Sequence, residues 1–158
     1  MRRVQSVLAP RFPEGSVRWT KPEQFHLTLD FLGELLVEEV AGVKGRLGSL
    51  HFPTFASELG SVGSFGRPAR VLFMNVKKEV EFLHQLQQEV ALSGSKQPFH
   101  PHLTLARLRT SLPNLQEVVQ EVRVEPLSWH VEEVQLVQST LAPQGTRYEV
   151  LFKVGLEP

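Results

Sequence analysis

Phe25-His26-Leu27-Thr28-Leu29-Asp30-Phe31 alternates strictly, and its centre returns nearly half a chain later as His102-Leu103-Thr104-Leu105. Alternation is the mark of a half-buried strand. It sends Phe25, Leu27, Leu29 and Phe31 to one face and His26, Thr28 and Asp30 to the other. Each tetrapeptide lies in a strand pattern and is followed by a helical one, so the simplest reading is an internal pseudo-repeat. Two similar lobes would then each present one His and one Thr from a sheet face. With the leucines in the core, two imidazoles and two hydroxyls would surround a shared central cleft.

The flanking segments agree with an α+β fold of antiparallel sheets and outer helices. Arg3 to Leu8 reads as the tail of a helix and Gly15 to Trp19 as a strand entry. A helix is expected after Gly33, carried by Val40, Val43, Leu47 and Leu50. Phe52 to Ser64 reads as a strand, Gly63 to Arg70 as a loop, and Val71 to Val76 as a central strand. Val80, Leu83, Leu86 and Val90 mark a helix that ends at Ser93-Gly94. Pro113 with Leu115, Val118, Val119 and Val122 marks another. Leu127 to Gln138 and Tyr148 to Val154 complete the strands, joined by a turn at Ala142-Pro143-Gln144-Gly145. Regular crossover helices between strands are too few for a doubly wound sheet.

With 158 residues, 41% hydrophobic and 22% charged, the chain has the size and composition of one soluble globular domain, 1–158. Lys plus Arg and Asp plus Glu number 17 each, so no basic excess exists for tracking a long nucleic acid. A small local anion pocket remains open. The absence of cysteine excludes disulfide-linked partners, thiolate metal sites and a cysteine nucleophile. With neither a signal-peptide core nor a membrane-length apolar run, the expected location is the cytoplasm, with no membrane partner.

Paired His-x-Thr elements suit attack on a phosphodiester. One imidazole takes a proton from the attacking group while the other gives one to the leaving oxygen, which an ordinary pKa near 6.5 allows. The threonines donate hydrogen bonds to non-bridging oxygens. No metal motif is present and no cofactor is expected.

The pair and its context resemble the two-histidine phosphoesterase superfamily, and within it the RNA 2′,3′-cyclic phosphodiesterase branch, also called 2′-5′ RNA ligase. The resemblance rests on Val17-Arg18-Trp19 with Gln24 to Glu34, Gly63 to Leu72, Phe99 to Arg107, and Gln138 to Leu141 through Gly145 to Tyr148-Glu149. It implies that His26 is the proton donor and His102 the proton acceptor. Thr28 and Thr104 would bind the phosphate, and Arg107 would be a further phosphate ligand. Strict alternation from His102 would instead turn Arg107 to the opposite face, so either the strand ends near Ala106 or Arg107 is structural. The implied partners are RNA 3′ ends or small cyclic nucleotides, acted on by a monomer. Family members open with an apolar strand and then a helix, whereas Met1 to Leu8 shows no such strand, so two readings stay open: a truncated or misassigned start, or a fold that lacks the strand.

Other readings carry less. His100 shares the His102 face and is expected to position the strand entry, while His51, His84 and His130 read as surface or packing residues. Asp30 lies too far along its strand to touch the His26 ring. Arg67 and Arg70 could reach RNA phosphates or form a solvated turn. Phe65 and Phe99 could stack a base, with core packing the safer reading, and Trp19 and Trp129 read as core or cleft wall. Gly60 to Gly66 is turn chemistry. RNA ligation through the same residues, and nucleotide capture without turnover, stand as the rival functions.

Overall fold

A computed structural model describes residues 1–158 except 95–97, 111, 113, 143 and 144. The elements run α1 (Arg2–Leu8), β1 (Val17–Trp19), α2 (Val37–Gly48), β2 (Phe55–Gly66), β3 (Ala69–Lys78), α3 (Val80–Val90), β4 (His102–Leu108), α4 (Leu115–Glu121), β5 (Leu127–Val131), β6 (Glu133–Ala142) and β7 (Gly145–Gly155). Short 3₁₀ turns occupy Ala9–Arg11 and Pro22–Gln24. A five-stranded sheet has the order β1-β4-β3-β2-β5, and β6 pairs with β7 in a second sheet. The class is α+β, as expected, and β3 is central. The expected segment Leu127 to Gln138 divides at Glu132 into β5 and β6. No helix among the described residues is long and apolar enough to cross a membrane.

The chain forms two compact units: one of Met1–Thr28, Ser57–Val80 and His100–Ser128, the other of Leu29–Ala56, Glu81–Phe99 and Trp129–Pro158. In the first, β1 pairs with β4, β4 with β3 and β3 with β2, all antiparallel. One face of this sheet carries Leu72, Met74, Leu105 and Ala106, each fully buried. The amphipathic helices α1, through Val4 and Leu8, and α4, through Leu115, Val118 and Val119, supply further core side chains. Gln5 ties α1 to the sheet edge, its Nε2 donating to the carbonyls of Thr20 at 2.8 Å and Leu105 at 3.1 Å. Among the described residues no strand precedes Val17, and the helical character expected of Arg3 to Leu8 is that of α1, Arg2–Leu8.

In the second unit, Leu83, Leu86 and Val90 of α3 are buried at helical spacing. Phe52, Phe55 and Phe82 form an aromatic cluster with centroid separations of 5.3 to 6.2 Å. Asp30 belongs here. Its Oδ2 accepts from the N–H groups of Leu92 at 2.8 Å and Ser93 at 2.9 Å, capping the chain that leaves α3. Burial opposes ionisation of Asp30, but hydrogen bonds from the Ser93 hydroxyl and the Leu92 and Ser93 amides outweigh it and lower its pKa.

Two expectations change. Phe25 to Phe31 is not a continuous strand: only Leu27 pairs, in an antiparallel bridge to Leu103, and Phe31 is 80% exposed. The 3₁₀ turn at Pro22–Gln24 lifts the chain off the β4 edge before Leu27 returns to it. Gly63 to Arg70 is not a loop either. β2 and β3 run through it as a hairpin, with Phe65 opposite Val71 and Gly66 opposite Ala69, leaving only Arg67 and a cis Pro68 as the turn. The expected helix start at Pro113 and the centre of the Ala142–Gly145 turn lie outside the described residues.

Gly63 sits opposite Phe73, and a Cβ at that position would lie 2.7 Å from Phe73 Cζ. Gly63→Ala is therefore expected to destabilise the fold by about 1–3 kcal/mol, the usual size of an overpacking strain. Denaturant unfolding measures this, and unchanged stability would contradict the packing described.

Candidate active site

The expectation that each motif stands on a separate sheet is replaced by a closer arrangement. Both motifs lie in the first unit, side by side on the edge of β4. The segment from Val17 runs antiparallel along that edge, pairing with Leu108, Arg107 and Ala106. The Thr20 amide then donates to the Leu105 carbonyl at 2.9 Å. After the 3₁₀ turn, Leu27 meets Leu103. Antiparallel register sets His26 opposite Thr104 and Thr28 opposite His102, and the leucine pair faces the other way. A local twofold relation thus passes between Leu27 and Leu103, and all four polar side chains share one face.

The two imidazoles are held alike. His26 Nδ1 lies 2.7 Å from the Gln24 carbonyl oxygen, and His102 Nδ1 lies 2.7 Å from that of His100. A carbonyl oxygen only accepts, so each Nδ1 carries a proton. In the neutral ring Nε2 is then the open acceptor, and in the charged ring Nε2–H is a donor. Both motifs are approached through a proline, Pro22 and Pro101, in the segment that supplies this carbonyl.

Their surroundings differ. The rings of Phe65 and Phe73 stack at 3.9 Å, and both present themselves to His102, at 4.9 and 5.3 Å between centroids. Burial lowers the His102 pKa below the usual 6.5. The carbonyl of His100 acts in the opposite sense by favouring the charged ring, and repulsion from His100 and His26 lowers the pKa further. His26 is exposed.

His100 is fixed by Asn75. Asn75 Nδ2 donates to the Ser61 carbonyl and hydroxyl, each at 3.2 Å, which leaves Asn75 Oδ1 to accept from His100 Nε2 at 3.2 Å. His100 also packs edge-on against Phe65 and Phe73, so it lies on the His102 face and contributes to the strand entry as expected.

Arg107 follows neither course left open by alternation, because β4 continues to Leu108 and bulges on the way. Phe73 pairs with Thr104, Leu72 with Ala106 and Val71 with Arg107, so one extra residue of β4 is accommodated between Thr104 and Ala106. Leu105 and Ala106 are consecutive, and both have 0% exposure. The slip returns Arg107 to the face of His102 and Thr104. Thr28 and Thr104 are half-buried and Arg107 is exposed.

The other candidates fall elsewhere or play packing roles. Phe99 meets His84 edge-on at 5.2 Å in the second unit, where His51 pairs with Glu157 at 2.7 Å. His130 is exposed, and so are Arg67 and Arg70 at the β2–β3 turn. Trp19 packs edge-on against Phe12 at 5.9 Å, and Trp129 is half-buried. Phe65 does pack, though against the His102 ring rather than deep in the core. Phe73, Asn75 and Arg18 escaped the sequence reading. Asn75 left one signal, a lone amide in the apolar run of a central strand.

The His102 titration tests these electrostatics. NMR should find the ring's pKa below 6.5, and His26→Gln or His100→Gln should each raise it by removing a repelling charge. A His102 that titrates at or above 6.5 and ignores both substitutions would contradict them.

A sequence model of the 2′-5′ RNA ligase superfamily matches residues 23–142. The chain is 36% identical to an RNA 2′,3′-cyclic phosphodiesterase of Aeropyrum pernix, over 87% of this chain and 85% of the relative. A protein of the same name from Escherichia coli is 30% identical, over 94% and 85%. The crystal structure of E. coli LigT complexed with 3′-AMP superposes with a TM-score of 0.76 at 28% identity, covering 99% of this chain and 90% of that one. A crystal structure of a Thermus thermophilus protein gives 0.69 at 31% identity, covering 98% and 92%.

Proposed function

The chain belongs to the 2′-5′ RNA ligase superfamily as an RNA 2′,3′-cyclic phosphodiesterase, and we propose that it opens the cyclic phosphate to a 2′-phosphomonoester by two-histidine acid–base catalysis without a metal. One observation carries this reading: the Leu27–Leu103 bridge brings together two His-x-Thr elements whose imidazoles both hold their Nδ1 protons on backbone carbonyls.

Both reactive nitrogens are then Nε2. His102, with its pKa lowered by burial, is neutral near pH 7 and offers an unprotonated Nε2 to water. As water oxygen bonds to phosphorus, its proton passes to His102 Nε2. The bond from phosphorus to the ribose 3′-oxygen breaks, and that oxygen takes the proton of charged His26 at Nε2. The 2′-oxygen keeps the phosphoryl group. Thr28 and Thr104, each opposite a histidine, donate hydrogen bonds to the non-bridging oxygens as charge accumulates there. Arg107 adds a fixed positive charge on the same face.

Sequence symmetry leaves the roles of the two rings interchangeable, and their environments favour one assignment. The ring pressed against Phe65 and Phe73 suits the base, and the exposed ring suits the acid.

The test is hydrolysis of a 2′,3′-cyclic nucleotide and of cyclic-phosphate-ended RNA in excess chelator, with joined and hydrolysed ends quantified separately. Turnover to the 2′-phosphate is expected, with a bell-shaped pH profile. His26→Ala and His102→Ala should each reduce the rate by about 10²–10⁴-fold, the usual worth of a positioned acid or base. Activity abolished by chelator, or undiminished in either variant, would overturn the mechanism.

A further inference from the structure

The phase slip in β4 does more than return one arginine to the reacting face. Beyond Thr104, that face carries Arg107 and, directly opposite it on β1, Arg18. The ladder continues one step further, because the Arg109 amide donates to the Ser16 carbonyl at 2.8 Å. By that register Arg109, one residue past the end of β4, shares the parity of Arg107. All three arginines are exposed.

We propose that Arg18 and Arg109, flanking Arg107, form a second anion subsite that receives the internucleotide phosphate next to the reacting end, so that the enzyme prefers an RNA chain end to a cyclic mononucleotide. The proposal rests on the reading of His26, Thr28, His102 and Thr104 as the reacting centre. Two observations support it. The arginines continue the row begun by His102 and Thr104, and Arg107 with Arg18 lies two ladder steps, about 7 Å, past Thr104. That interval suits successive phosphates of one chain. In a chain of balanced charge, the row is also a local concentration of forked donors matched to phosphate.

The experiment compares a 2′,3′-cyclic mononucleotide with a trinucleotide ending in the same cyclic phosphate, using wild type, Arg18→Gln, Arg109→Gln and Arg18→Lys. Wild type should show higher kcat/KM on the trinucleotide. Each Gln variant should lower the trinucleotide-to-mononucleotide ratio about five- to twentyfold, and Lys should restore part of it, since a charge-assisted phosphate contact is being removed. A parallel measurement uses fluorescence anisotropy with a labelled trinucleotide ending in a 2′-phosphate. The slope of log affinity against log salt should fall by about 0.7 per arginine removed, the share of one single-strand phosphate contact. Equal loss on both substrates, an unchanged ratio, or an unchanged salt slope would overturn the subsite. If neither substrate is hydrolysed, the hydrolytic reading fails instead, and the anisotropy arm still decides the subsite.

Discussion

One paired position, Leu27 against Leu103, sets the two His-x-Thr elements of this molecule side by side. Antiparallel register allows no freedom beyond that pair: once the leucines face the core side, the flanking residues of both segments must face the other, each histidine opposite the partner's threonine. The alignment is held from before. Thr20 bonds to Leu105 and Gln5 bonds to both carbonyls. A single bridge amid irregular chain is weak alone, and these neighbouring hydrogen bonds support it.

The arrangement is symmetric in backbone and asymmetric in environment. Both rings lean on a carbonyl two residues upstream, so they present the same nitrogen. His102 lies against a wall of stacked phenylalanines, with the His100 imidazole beside it. Burial against that wall lowers the pKa of His102. Gly63 belongs to this device, since its missing side chain is what lets the Phe73 ring lie where it does.

Much of the fold was legible in the sequence because the signals were periodic. α3 announced itself through Leu83, Leu86 and Val90, and β3 through an unbroken apolar run. The paired motifs were legible because core patterning explains repeated leucines but not a repeated His and Thr on the polar face. What alternation cannot convey is whether a strand has a partner. Phe25 to Phe31 has the period of a strand, yet Pro22–Gln24 detaches it from the β4 edge, and beyond Leu27 the Asp30 carboxylate accepts from the amides of Leu92 and Ser93. The same limit hid Arg18 and Asn75. Their importance lies in what stands opposite them in the ladder, and register is a tertiary property. Gly63 to Arg70 resembled a loop through its Gly and Pro content, although the turn itself needed only Arg67 and Pro68.

The bulge at Leu105 and Ala106 carries a lesson about length. In an even strand, positions 102, 104, 106 and 108 would share a face, so Leu108 would be exposed and both Arg107 and Arg109 buried. Counting by twos fails here because the strand changes phase midway. The effective spacing on the reactive face becomes two, three, two. Deleting either residue would only remove the extra position, leaving Arg107 and Arg109 on the same face by an even count. Inserting one residue just after the bulge, a change invisible to hydropathy, would exchange the inner and outer surfaces of everything after it in β4. Such a chain would keep both histidines and both threonines. It would have lost the correct side of its own strand.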